Sequence, residues 1–360
     1  MGKSLDYIVF SVVVYFVAKA SIRDKQHLMT ALKCLVVIGF ISAAALVAEA
    51  HTGRAWYSVI FRTEIPLTWQ DIGEGRGQGL WHIPHVTQVF CAMTAFLAFH
   101  LAGWTQSTRA KVFYYAAMVV MVLAVYYAYS RTGYIALVML FLVMPFLVRG
   151  NRARYLALTA GAVLVLALSM PLLFRSKELR DTMTRQTVSI RVKINESNIN
   201  VIKHHPWFGV GYGKVPEAFY KYVANLEHRM TIRTSRLGLA RPNNPHNWHL
   251  QVLGEEGLVG GALYYGAILG FIIYMFGLRR RLPEKGAFGA DLVTTIIVST
   301  AANLIVLNFY GGPKIPYPVW MFWMVFGLMV RLGELTAQEQ EQPVIANVLL
   351  QHRAEPVAVA

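Results

Sequence analysis

The sequence predicts an all-α, polytopic integral membrane protein of about nine transmembrane helices, with one long insert between the sixth and the seventh. Three observations predict it. The 360 residues are 56% hydrophobic and 15% charged, a mix unsuited to one soluble domain. Apolar runs of about 20 residues recur, each long enough to cross about 30 Å of hydrocarbon. The 34 Lys and Arg residues, which leave a net charge of +15, lie in short clusters between those runs. That is the pattern of membrane loops; no nucleic-acid partner is expected.

Taken in order, the predicted spans are 5–20, 28–48, 86–104, 112–130, 133–148, 155–174, 258–278, 288–311 and 316–331. The first lacks a signal-peptide cleavage pattern and reads as a retained span. Apolar residues continue almost unbroken from Val112 to Val148, and one helix of that length would reach about 55 Å. The chain must therefore fold back, and Ser130-Arg131-Thr132-Gly133 is the polar interruption where it turns. The predicted organisation is a six-span bundle over 1–174, an extramembrane loop domain over 175–257, three spans over 258–331 and a cytoplasmic tail over 332–360. Cys34 and Cys91 sit in apolar runs and fit neither a disulfide framework nor a metal site.

Basic residues orient the spans. Lys19, Arg23 and Lys25 follow the first, Arg109 and Lys111 the third, Arg149, Arg152 and Arg154 the fifth, and Arg279, Arg280, Arg281 and Lys285 the seventh. These alternate loops share one side, the cytoplasm. The 50–85 loop, the Arg131 turn and the long insert fall on the other. Nine spans then place the N-terminus outside, which suggests that preceding helices are missing from this chain.

Within the insert, Val188, Ile190, Val192 and Ile194 alternate as in a strand, while Ile194, Asn198, Val201 and Ile202 suit a helix face equally well. Periodicity leaves both open. Pro206 to Gly213 reads as a turn-rich loop. Asn244-Pro245-His246-Asn247 reads as a helix start, with Asn244 as N-cap, Pro245 at the first helical position and His246 in the first turn. First-turn amides lack intrahelical partners and carry the positive end of the dipole, so they attract anions and favour a neutral imidazole.

His246 is therefore the first candidate, as a general base. Arg131 is the second: an ionisable residue in a tight turn between two spans, against the positive-inside trend, although a snorkelling anchor would also sit there. Arg191 is one of about a dozen basic residues in the insert and reads from sequence alone as a solvated charge. The tryptophans of the 50–85 loop fit an interfacial belt, and its RGQGLWHIPH stretch offers Arg76 and His85 as possible site residues. His246-x-x-His249 has helical metal spacing, but neither a cysteine nor a paired carboxylate accompanies it. Asp6, Asp24, Asp71, Asp181 and Asp291 are scattered, with no DxD pair to hold a nucleotide-sugar diphosphate through a metal. A GxxxxGK[ST] loop is also missing. No metal and no cofactor are expected.

HHPWFGVGYG followed by PHNWHLQVLGEEGLVGGAL resembles the signature of the O-antigen ligase and polymerase superfamily, membrane glycosyltransferases of the GT-C type in the bacterial inner membrane. The SRTG turn at Ser130 to Gly133 is similar to the family's Ser-Arg-Gly turn, and Arg191 to a family arginine shortly before the His-Pro loop. The resemblance covers roughly 76–275, with Pro84-His85 where many members have Pro-Asn. It implies a donor glycan on undecaprenyl diphosphate at the periplasmic face, in contact with membrane lipid. It implies an acceptor hydroxyl on lipid A–core, on a growing glycan or on a protein. It further implies that Arg131 and Arg191 hold the diphosphate, with His205, Asn247, Arg76 and His85 at the substrates, and that His246 takes the acceptor's proton. The expected chemistry is a metal-independent, inverting transfer. A polymerase and a protein O-oligosaccharyltransferase are the alternatives within the family. A lipid-linked sugar transporter is the alternative outside it.

Overall fold

A computed structural model describes residues 2–53, 77, 79–80, 84–173, 185–219, 221–223, 247–309 and 317–354. Among these the chain is entirely helical. The helices are α1 (Gly2–Ser21), α2 (Lys25–Thr52), α3 (Pro84–Trp104), α4 (Thr108–Tyr127), α5 (Arg131–Leu147), α6 (Arg152–Leu173), α7 (Arg185–His204), α8 (Val215–Phe219), α9 (Trp248–Arg281), α10 (Ala290–Val306) and α11 (Tyr317–Ala354). A 3₁₀ turn over Leu307–Phe309 extends α10.

The predicted spans 28–48, 86–104, 112–130, 258–278 and 288–311 correspond to five of these helices. Lys25–Thr52, Val86–Trp104, Thr108–Tyr127, Trp248–Arg281 and Ala290–Phe309 are long and apolar enough to cross a membrane; Val12–Ser21 and Arg131–Leu147 are apolar but shorter. The surface pattern agrees with a lipid environment. On α4, Val112, Tyr115, Val119 and Leu123 recur every three or four residues and are exposed, while Tyr114, Ala117, Met121, Ala124 and Val125 are buried. A soluble helix would have the polar residues outside.

α3 is the central helix, with α2, α4, α5 and α10 packed on it. Small residues allow the close approach: Gly39 of α2 lies against Thr94 of α3 and Met121 of α4. The polar atom of Thr94 bonds back to the Phe90 carbonyl at 2.7 Å, as hydrocarbon surroundings require.

One end of the bundle is locked by polar groups. Buried Asp291 at the start of α10 accepts hydrogen bonds from the amides of Arg149 (2.9 Å), Gly150 (3.2 Å) and Asn151 (3.0 Å). Arg279 of α9 donates to Thr294 at 2.8 Å and also to the Leu147 carbonyl. Arg154 donates to the Phe99 carbonyl at 2.6 Å and to the Tyr115 hydroxyl at 3.1 Å. These bonds gather the ends of α3, α5 and α9 with the starts of α4, α6 and α10. The opposite ends, including the starts of α3 and α5, are thereby collected at the far side.

The structure decides the helix-or-strand ambiguity in the insert. Ile194, Ser197, Asn198 and Val201 form one buried stripe on α7, so the 3.6-residue period prevails over the alternation.

Candidate functional site

At the far end, α4 stops at Tyr127 and α5 begins at Arg131. The turn between them is strained: Tyr129 has φ 44°, a left-handed conformation that suits glycine and costs a bulky residue. Ser130 is the extended N-cap of α5, and its hydroxyl pairs with that of Thr132 at 2.8 Å. Gln88 of α3 donates to the same Thr132 hydroxyl. Tyr134 reaches back to the Tyr126 carbonyl at 2.9 Å. The predicted fold-back is thus a fixed turn, but it occupies 128–130 and not Ser130 to Gly133, and half-buried Arg131 is the first residue of α5. A cation there opposes the helix dipole, so helix stability does not explain it. A guanidinium beside the first helical amides suits an anion instead.

The 77–80 strip packs beside this turn. The Gly77 amide donates to the Tyr127 carbonyl at 3.4 Å, and the Gly79 amide donates to the Glu49 carboxylate at 2.8 Å. Glu49 is a buried acid near the end of α2 that sequence reading passed over. Its signal was available, because a single ionisable residue in an apolar run is a candidate by default.

The second part of the site is an interlock between the His205–Gly211 loop and α9. α9 is 34 residues long, about 51 Å if straight, and it breaks at Gly257 (φ 67°, ψ −168°). The break opens helix bonds, among them those that would link Leu258 to Gly254 and Val259 to Glu255. All four groups bond to the loop. The Val210 and Gly211 amides donate to the Gly254 and Glu255 carbonyls, each at 2.9 Å. The Leu258 and Val259 amides donate to the Pro206 and Trp207 carbonyls at 2.7 and 3.1 Å. The backbones approach so closely that a Cβ on Gly257 would lie 2.3 Å from the Trp207 carbonyl carbon. One on Gly209, where φ is 65°, would lie 2.4 Å from Glu255. The long apolar part of α9 starts at Leu258, directly after this break.

The Glu255 side chain completes the interlock. It accepts from Gln251 at 3.1 Å and from the Gly213 amide. Burial pushes its carboxyl up to about 7, against those two hydrogen bonds, which pull it down. Glu255 lay inside the GEEG run and was not assigned a role from sequence, since one buried acid cannot be told from a solvated one by spacing.

The start of α9 differs from expectation. The N-cap is Asn247, extended at φ −150°, whose side chain accepts from the Leu250 amide at 3.1 Å. Asn244 is therefore not the cap, and His246 precedes the helix instead of lying in its first turn. The reason is competition between neighbours: Asn at 244 and Asn at 247 both suit an N-cap, and the second one caps α9. Asn244, Pro245 and His246 themselves lie outside the described residues, as does Arg76; His85 is on the first turn of α3, and its side chain is likewise outside them.

α7 runs beside the first segment of α9 in the same sense. Val201 lies over Gly254, and four residues on the loop meets Leu258. Arg191 is half-buried on the same face as Ile194, Asn198 and Val201, about 15 Å back along α7 from Val201. That direction leads towards Asn247. His205 is half-buried, with its Nε2 2.8 Å from the Tyr222 hydroxyl. His204 turns to the Asn200 carbonyl instead. His249 donates from Nε2 to the Leu304 carbonyl (2.9 Å) and accepts at Nδ1 from Tyr265 (2.6 Å), which removes it from any pairing with His246. Among the described residues no group of three His, Cys, Asp or Glu side chains is placed to hold a metal.

The strained turn and the interlocked loop both lie within one stretch that is similar to a known family. Residues 116–265 match the family model for O-antigen ligase. The O-antigen ligase match starts inside α4, takes in Arg131, Arg191 and the loop, and ends beyond the break in α9. It covers less than half of the chain and agrees with the resemblance seen in the two motifs. No curated protein matches the chain.

Proposed function

We propose that this protein is an O-antigen-ligase-type glycosyltransferase, embedded by nine spans in the bacterial inner membrane. It moves a glycan from undecaprenyl diphosphate to an acceptor hydroxyl, that of lipid A–core, at the periplasmic face. The observation that supports this best is the O-antigen ligase match over the two elements that carry Arg131 and the His205–Asn247 region.

In this reading Arg131 and Arg191 hold the diphosphate, because a guanidinium meets phosphate oxygens bidentately. His246, just ahead of the Asn247 cap, accepts the proton of the acceptor hydroxyl as its oxygen attacks the anomeric carbon. The bond from that carbon to the diphosphate breaks on the opposite face, so the configuration inverts. The lipid diphosphate leaves with its charge on the arginines. His205, Asn247, Arg76 and His85 contact the substrates. Neither a metal nor a cofactor takes part.

The test is turnover of purified protein with a lipid-diphosphate glycan and lipid A–core, before and after exhaustive chelation. Transfer at an unchanged rate is expected in both. Donor binding without transfer to any hydroxyl acceptor would indicate a transporter, and a loss on chelation restored by one divalent ion would bring in a metal. Arg131→Ala is expected to lose donor binding and transfer together. Arg131→Lys should recover little, because an ammonium keeps the charge but not the planar fork. A fully active Arg131→Lys protein would make Arg131 a membrane anchor.

A further inference from the structure

We infer that the tip of the interlocked loop, Trp207-Phe208, is inserted into the lipid bilayer and holds the loop and α7 at the membrane surface. Trp207 is 65% and Phe208 76% exposed, and Phe208 is the most exposed of the described aromatic residues. Adjacent residues of this size are left in water only at a cost, and a soluble surface would not place them side by side.

Their location names the occupant. The Trp207 carbonyl accepts from the Val259 amide, and Leu258 and Val259 open the long apolar part of α9. From there the exposed apolar surface continues along α9 through Leu258, Val259, Leu263 and Ile273. The tip is therefore continuous with a surface that only lipid can cover. Trp and Phe fit the boundary between headgroups and hydrocarbon. Exposed Lys203 and Lys214 lie close to the tip in the chain, on either side of it, and a lysine near a membrane surface reaches the headgroups with its ammonium group. Insertion sets the depth of the helix break at Gly257, and through α7 and the first segment of α9 it sets the height of Arg191 and Asn247.

The test uses the full chain in phospholipid nanodiscs, with Cys34→Ala to remove the exposed thiol and buried Cys91 left in place. A nitroxide is attached at Phe208→Cys, with Leu263→Cys as a lipid reference and Glu217→Cys, exposed on α8, as a water reference. Collision with oxygen and with a water-soluble nickel complex is then read by electron paramagnetic resonance. The label at 208 is expected to follow the Leu263 label, with oxygen access high and nickel access low. Nickel access matching the Glu217 label would overturn the inference. Shielding from both reagents would also overturn it, by placing protein on the tip. A label at Trp207→Cys gives an independent reading if the first variant folds poorly, and none of these readings depends on whether transfer occurs.

Discussion

His246→Ala is expected to lose transfer by roughly 10²- to 10⁴-fold, the usual size of a general-base contribution, while binding the lipid-diphosphate donor nearly as well as the unaltered protein. The split follows from the proposed division of labour. The arginines meet the donor's charge in the ground state and in the transition state, so their loss weakens binding. A base acts only as the acceptor's proton departs, so its loss slows the step without weakening the donor complex. The position of the cap sharpens the expectation. Because Asn247 and not Asn244 caps α9, the cap is made without His246. Thermal unfolding should therefore be unchanged. Donor affinity and turnover measured separately on the purified variant decide the matter. If His246→Ala no longer binds donor but turns over bound donor normally, His246 is a diphosphate ligand and not a base.

Gly257→Ala is expected to undo the interlock, and with it activity, although residue 257 touches no substrate in the proposed reaction. A residue with a Cβ resists φ 67° with ψ −168°, and that Cβ would lie 2.3 Å from the Trp207 carbonyl carbon and oxygen. Backbone strain and forced overpacking together cost on the order of 3 kcal/mol or more. The chain can relieve this by straightening α9, which restores the opened helix bonds but strands the loop amides and carbonyls now paired with 254, 255, 258 and 259. The measurable results are faster protease cleavage at Lys203 and Lys214, a lower unfolding temperature and little transfer. Gly266→Ala is the control, since a Cβ there meets nothing within 4 Å and alanine favours a helix. A Gly257→Ala protein as stable and as protease-resistant as Gly266→Ala would show that the loop does not depend on the break.

Much of this molecule was legible because membranes leave few options. Backbone groups in hydrocarbon must be satisfied within the segment, so each apolar run of sufficient length becomes a helix. The same rule called for a fold-back near Ser130 to Gly133, since a largely apolar run of 37 residues cannot cross once. The insert obeys no such rule. Its Val188–Val201 stretch satisfied both periods, and only packing of Ile194, Asn198 and Val201 selected the helix. Competition between two good caps was equally local and equally undecidable from spacing, and the structure resolves it in favour of Asn247.

The sequence by itself determined the helical class, the positions of the apolar helices and the two motifs that mark the candidate site. Those are properties of composition and of short-range pattern, which the chain carries wherever it is placed. Tertiary structure decided how the motifs meet. The GxGxG loop and the Glu-x-Gly run are some forty residues apart, and nothing in either announces that one fills the gap in the other. Their pairing depends on four backbone bonds and on two glycines whose close approach leaves no room for a side chain. Backbone hydrogen bonds carry no residue identity, so a contact made from them is visible only once the chain has folded.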